Sequence, residues 1–287
     1  MKVSNINRLY FNNVSNKKIS FNGIEKLDAP CMFVYDLDGT LANGNNTQIN
    51  DVLKISKKRN AKVIYATGRG LEEFKMLQSE LSSKGIRLYF PDFLVANNGE
   101  NIYTNLDGQL CKNFEYSQFI KKNTNFNKTD TAKKILSVNN ELKQIESSSM
   151  TLKYNVPVNI NIKELKKNIL DKLSQDKIKV LCGYKGEGTT NQTLFIAPFN
   201  KATAINYLKK HLNIPYTEIL MAGNDNNDIS MAKLSKNGAK FICLNNAKPN
   251  LIKVCKQLGH ENTNIHFSLS SGTKGILEGL LKILNKV

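Results

Sequence analysis

The fold of this chain can be worked out from one segment, Cys31-Met32-Phe33-Val34-Tyr35-Asp36-Leu37-Asp38-Gly39-Thr40. Its first half is apolar, rich in β-branched and aromatic residues, and bounded by a turn, which is the pattern of a buried strand over 31–36. Its second half places two carboxylates two residues apart. In extended chain such positions project to the same side. Gly39 then allows a sharp turn. On a parallel strand both acids would stand at the carboxyl end, where open α/β sheets bind ligands. A plain acidic turn has no use for two like charges so close. The pair suits a hard cation, or a division of labour between nucleophile and acid/base.

The flanking sequence supplies the parallel sheet. Helical spacing runs over 50–59, AKVIYAT (61–67) is a second buried strand, LEEFKMLQSELSSKG (71–85) is an amphipathic helix closed by Gly85, and DFLVAN (92–97) is a third strand. Asp107-Gly108, set between alternating runs, marks a hairpin. From Lys201 the alternation resumes with the helix KATAINYLKKHLN, the strand EILMAG (218–223), the helix NDISMAKL and the strand KFICL (240–244). The helix KPNLIKVCKQLG, the strand NIHFS (264–268) and the helix TKGILEGLLKIL (273–284) complete it. Strands alternating with helices imply right-handed crossovers and an α/β, Rossmann-like parallel sheet core.

Residues between about 113 and 197 follow a different order: a helix at 130–143, a strand at 150–156, a helix at 162–173, and strands at 177–184 and 192–197. That suits an inserted α+β domain with an antiparallel sheet. The expected organisation is an extension at 1–28 with a short strand near 18–21, a core over 29–112 and 198–287, and the inserted domain over 113–197.

Composition narrows the function. The 287 residues are 40% hydrophobic and 23% charged, so a real core can form. No apolar run approaches the roughly 18–20 residues of a membrane span, and the N-terminus lacks the apolar stretch of about 7–15 residues that marks a secretory signal. A cytoplasmic protein without a membrane partner is expected. The net charge is 41 − 24 = +17, which raises the question of nucleic acid. Only Arg8, Arg59, Arg69 and Arg87 carry the guanidinium fork that clamps phosphate and reads guanine. The lysines are spread along the chain beside abundant asparagine, as an AT-rich genome would produce. No nucleic-acid partner is expected, and the charge reads as a diffuse basic surface compatible with anionic substrates. The five cysteines include no CxxC pair and the three histidines no HExxH, so neither a disulfide framework nor a zinc site is expected.

Three further segments fall at strand ends. Thr67-Gly68-Arg69 closes the second strand, offering a hydroxyl and backbone N–H groups to an anion. Lys201 opens a helix after an apolar strand and can present an ammonium to phosphate. Gly223-Asn224-Asp225-Asn226-Asn227-Asp228 follows the strand EILMA with a run of oxygen-bearing side chains suited to Mg²⁺.

These four pieces, in this order, resemble the motifs of the haloacid dehalogenase-like phosphohydrolases. The insertion resembles their type C2B cap. ATGRGLEEF, PDFLVANNGENIY, AGNDNNDISM and the closing GTKGILEGL are similar to the sucrose-phosphate phosphatase branch. The resemblance implies a Mg²⁺-dependent phosphatase for a small phosphorylated sugar or related metabolite, acting through an aspartyl-phosphate, with Asp36 as nucleophile and Asp38 as acid and then base. It implies that Thr67, Gly68, Arg69 and Lys201 bind the phosphoryl group, and that Asp36, Asp38, Asn224, Asp225 and Asp228 form the metal set. One position departs from the family, which commonly has an acid where this chain has Asn224. Either its amide oxygen serves, or Asp225 swings in, or Asp228 carries more of the load. Substrate choice would lie in the cap. There Lys153, Tyr154, Lys185 and Asn191 stand near strand ends and read as plain surface. A phosphomutase or phosphotransferase using the same aspartyl-phosphate and a basic nucleic-acid-binding protein are the competing readings. Nothing in the sequence fixes an oligomeric state.

Overall fold

The computed structural model describes residues 32–57 and 61–284. The extension at 1–28, its strand near 18–21, Cys31 and the last residues of the 50–59 helix lie outside them. The chain enters as β1 (Met32–Tyr35), then α1 (Asn46–Lys57), β2 (Lys62–Ala66), α2 (Leu71–Ser83) and β3 (Phe93–Ala96), and turns back through β4 (Asn101–Leu106) and β5 (Gln109–Lys112). Asp107 and Gly108 both have positive φ, 50° and 86°, the two-residue turn that Asp-Gly favours. Next come α3 (Phe114–Thr124), α4 (Lys128–Val138), β6 (Lys143–Ile145), β7 (Leu152–Asn155), α5 (Ile162–Gln175), β8 (Leu181–Lys185) and β9 (Thr193–Ala197). The chain finishes with α6 (Lys201–Leu212), β10 (Ile219–Gly223), short helical turns over 226–237, β11 (Lys240–Cys243), α7 (Pro249–Glu261), β12 (Ile265–Phe267) and α8 (Gly272–Leu284). No helix among the described residues is long and apolar enough to cross a membrane.

Two compact units result, one from the segments up to Asn113 and from Lys201 onward, the other from Phe114–Asn200. The first contains an eight-stranded sheet ordered β12-β11-β10-β1-β2-β3-β4-β5. Its strands from β12 to β3 are parallel, and β4 and β5 extend it antiparallel. β1 lies in the middle with every residue buried, as strands covered on both faces must be. Tyr35 is level with Ala222 of β10 on one side and Tyr65 of β2 on the other. The residues that follow these three strands therefore emerge at one edge. On one face Phe33, Tyr35, Val63 and Tyr65 join Leu41, Val52, Phe74, Leu77, Ile276 and Leu280 in the main core. Buried Tyr35 and Ser56 pair their hydroxyls at 2.8 Å.

α8 is tied to the sheet by Glu278. Its carboxylate accepts the N–H groups of Leu269 and Ser270 at 3.0 Å and the Lys282 ammonium at 2.9 Å. Partial burial works against the charge, but the Leu269 N–H, Lys282 and the Ser270 N–H hold the carboxyl down at about 2. A depressed folded-state value stabilises above the unfolded value and is lost as pH falls through the folded one. Glu278→Gln is expected to lower the unfolding free energy by about 1–2 kcal/mol near neutral pH. The gap to wild type should start to narrow below about 4.5 and close toward about 2, as followed by thermal unfolding across that range.

The second unit has a four-stranded antiparallel sheet ordered β6-β7-β9-β8. Leu152, Tyr154, Leu194 and Ile196 are buried on one of its faces. Tyr154 is thus core, with 0% exposure, and corrects its reading as surface. β7 alternates, and Tyr154 shares the inward side with Leu152. Lys153 and Lys185 point the other way, with their ammonium groups 5.9 Å and 5.5 Å from the Phe195 ring centre. Asn191 is exposed. Three further expectations fail locally. Phe114–Thr124 forms a helix that was not foreseen, the 130–143 helix stops at Val138 and gives way to β6, and the 177–184 strand begins only at Leu181.

Candidate active site

The site begins where β1 ends. Asp36 donates its N–H to Ala222 at 3.1 Å, which carries the sheet pairing one residue past β1. The chain then folds into a wide turn over Leu37–Leu41, closed by the Ala42 N–H on the Leu37 carbonyl at 3.0 Å. Gly39 sits at φ 71°, and a Cβ there would collide with the Asn224 amide. The turn is latched from two distant places. Asn246 donates to the Gly39 carbonyl at 2.8 Å, and buried Thr273 donates to the Leu41 carbonyl at 2.8 Å.

Lys201, the first residue of α6, is fully buried and donates to Asp36 and to Asp228, both at 2.7 Å. The other Asp228 oxygen accepts the N–H groups of Asn224 at 2.9 Å and Asp225 at 3.0 Å. Burial alone would push the ammonium down, but the Asp228 and Asp36 carboxylates overcome it and hold Lys201 above its ordinary range. Burial, followed by the Asp228 charge, pushes the Asp36 carboxyl up to about 6 against the pull of Lys201. A buried ammonium between two carboxylates leaves Asp36 short of positive charge. That shortage is what a cation beside it would supply.

Gly223 makes this arrangement possible. A Cβ at that position would lie 2.5 Å from the Asp228 carboxyl carbon. Gly223→Ala should displace Asp228 and loosen Lys201, destabilising the protein by about 1–3 kcal/mol in urea unfolding and lowering turnover with it.

Asp36 opens on a cleft of about 310 Å³ shared with Asp38, Gly68 and Arg69 on one side and Asp225 and Asn227 on another. Arg69 grips Asp38 through its Nε and Nη2. Thr67 stands just behind this wall. It is buried, its N–H donates to Val95 at 2.9 Å, and its hydroxyl accepts the Arg69 N–H at 3.1 Å. Asn224 is also set back: it is buried, and its amide oxygen accepts the Thr40 hydroxyl at 3.1 Å. Asp225 instead borders the cleft.

Two side chains at the site, Glu73 and Thr273, escaped the sequence, and Asn227 stands out there only as part of the 223–228 run. Glu73 lines the cleft and caps α2 by accepting the Gly70 N–H at 2.6 Å. Its position three residues after Gly70 is a capping spacing that could have been noticed. Asn227 donates to Asn98 at 2.9 Å, and Thr273 latches the turn. Those two contacts join remote segments, and no local spacing signals them.

Among the described residues no three His, Cys, Asp or Glu side chains converge on a metal position. Mg²⁺ asks for less, being held by one or two carboxylates with backbone oxygen, water and substrate phosphate. Among the residues that border the cleft, Asp36 and Asp225 can offer it carboxylate oxygens, and no His or Cys is present. That donor chemistry fits a hard cation.

Comparisons with known proteins identify the family. Residues 29–282 match the family model for sucrose-6F-phosphate phosphohydrolase. The sucrose-phosphatase of Synechocystis, solved with sucrose and phosphate, superposes with a TM-score of 0.67 at 22% identity, over 88% of this chain and 98% of that one. A haloacid dehalogenase-like hydrolase from Bacillus subtilis gives 0.63 at 16% identity, over 95% and 99%. A Thermoplasma acidophilum protein gives 0.54 at 18%, over 90% and 100%. No curated protein matches the chain closely enough to count as a relative. The structures bear out the α/β fold, and the family match, spanning nearly the whole described chain, makes it a phosphoric monoester hydrolase of the haloacid dehalogenase type. With strands, turn and buried lysine in these positions, the chain belongs to the sucrose-6F-phosphate phosphohydrolase family.

Proposed function

We propose that the enzyme hydrolyses a phosphorylated sugar, with sucrose 6F-phosphate the first candidate, through an aspartyl-phosphate on Asp36. The observation that carries this reading is the placement of Asp36: pinned from behind by Lys201, yet bordering the cleft with Asp38, Gly68 and Arg69. The Asp36 carboxylate attacks phosphorus as the bond to the sugar oxygen breaks. Asp38 gives its proton to that departing oxygen. It then takes a proton from the water that attacks the aspartyl-phosphate, so that the bond to Asp36 breaks and inorganic phosphate leaves. Arg69 and the backbone N–H of Gly68 receive the phosphoryl oxygens, and the Thr67 hydroxyl supports that wall. Lys201 removes charge from the nucleophile, which would otherwise repel an anionic substrate.

Asp36, Asp225 and the Asp38 carbonyl would hold Mg²⁺, which when bound supplies the remaining positive charge. Asn224 and Asp228 act as positioning residues. The first is engaged by Thr40, and the second has both oxygens occupied. The test is a screen of sugar phosphates with Mg²⁺ and with EDTA, using Asp36→Asn protein as the blank. EDTA-sensitive release of inorganic phosphate from at least one sugar phosphate is expected. Its absence across the set would defeat the reading, and an isomerised sugar phosphate in place of inorganic phosphate would make the enzyme a mutase.

A further inference from the structure

Asp38 and Arg69 form a two-point ion pair in the cleft. Arg69 Nε donates to both carboxylate oxygens, at 3.1 Å and 2.9 Å, and Nη2 donates to Oδ1 at 2.8 Å. Each oxygen thereby accepts from the guanidinium, which fixes the direction in which the carboxylate points. A carboxyl group that gives a proton to an alcohol, or takes one from water, must direct an oxygen at that group within hydrogen-bond reach. The pair therefore has to open before Asp38 can act.

The Arg69 and Asp38 side chains are 33% and 54% exposed, so water can take over their hydrogen bonds as the pair opens. Lys201, at 0% exposure between two carboxylates, has no such freedom. A phosphate monoester offers the guanidinium the same planar match with more charge than one carboxylate. Arg69 also borders the cleft next to Asp36, where the phosphoryl group must arrive under the phosphatase reading on which this inference rests.

We propose that Arg69 works by exchange: it holds Asp38 in the free enzyme, and the substrate's phosphate takes over the guanidinium and releases Asp38 for proton transfer. Binding thereby arms the acid, and an empty site keeps it engaged. Arg69 is a substrate-binding residue that also acts on the chemistry through Asp38.

The test is a double-mutant cycle on the binding of inorganic phosphate, measured by calorimetry in Mg²⁺ for wild type, Asp38→Asn, Arg69→Gln and the double variant. Exchange predicts that Asp38→Asn tightens phosphate about tenfold when Arg69 is present. When residue 69 is glutamine, the same change should have less than about a twofold effect. Arg69→Lys, which keeps the charge without the fork, should fall between. Equal tightening in both backgrounds would mean that Asp38 merely repels phosphate. That result, or no tightening in either background, overturns the exchange and leaves the phosphatase reading standing. A wild type that neither binds phosphate nor shows Asp36-dependent phosphate release overturns that reading, and the exchange with it.

Discussion

Asp36→Asn protein is expected to release phosphate from a sugar phosphate at least about a thousandfold more slowly than wild type, because the amide that replaces the proposed nucleophile is neutral and cannot form an aspartyl-phosphate. The same substitution should not weaken the fold. The Asp36 carboxyl is pushed up to about 6, by burial first and by Asp228 second. A raised folded-state value contributes stability that is complete below the unfolded value and is lost as pH rises through the folded one. Metal-free wild type at pH well above 6 has therefore lost that contribution, whereas Asp36→Asn has no such titration. In EDTA the variant should melt at least as high as wild type in mildly alkaline buffer, and the difference should shrink toward acid pH. A variant that is inactive and also markedly less stable at alkaline pH would contradict the charge balance drawn for the site.

The second large effect concerns Lys201. Lys201→Met keeps much of the side-chain volume but strands two carboxylates, Asp36 and Asp228, in a buried position. Breaking a buried ion network by removing one partner costs about 3–5 kcal/mol, so urea unfolding should show a loss of that size. Adding Asp228→Asn should recover part of it, because only one buried charge then remains. Activity should stay low in both variants. If Lys201→Met unfolds like wild type, the ammonium is not the counter-charge that its two 2.7 Å contacts indicate.

The sequence carried the core better than the inserted unit, for physical reasons. Fully buried strands such as Met32–Tyr35 and Phe93–Ala96 are short apolar runs cut off by turn residues, and Asp107-Gly108 names its own turn. In the inserted unit the signals are thin. The helix Phe114–Thr124 buries Tyr116, Ile120 and Thr124, a stripe whose third member is polar and whose spacing is easily overlooked. The strand Lys143–Ile145 is three residues long and buries none of them. Lys177 takes a positive φ of 57° and the Lys179 N–H goes to the Thr124 carbonyl, so a run that reads as strand begins as a turn. At the site, the segments that matter were visible because each follows a strand. The hydrogen bond from Thr40 to Asn224 spans 184 positions, and the Asp38–Arg69 grip depends on two strand ends being adjacent. Such contacts exist only after folding.

The position of β1 has a consequence for how the protein is made. Its neighbour on one side, β2, starts at Lys62, but its neighbour on the other, β10, starts at Ile219, and the turn that follows Asp36 is latched by Thr273. On the ribosome, Asp36 is synthesised well before its strand's second partner and waits, with one flank of β1 unpaired, until β10 has emerged. An exposed apolar strand edge of that kind invites aggregation, so the nascent chain has its greatest need of a chaperone before residue 219 appears. Translation that stops short of α8 would yield a product in which Asp36, Gly39 and Lys201 are all present but the Thr273 latch on the turn is missing.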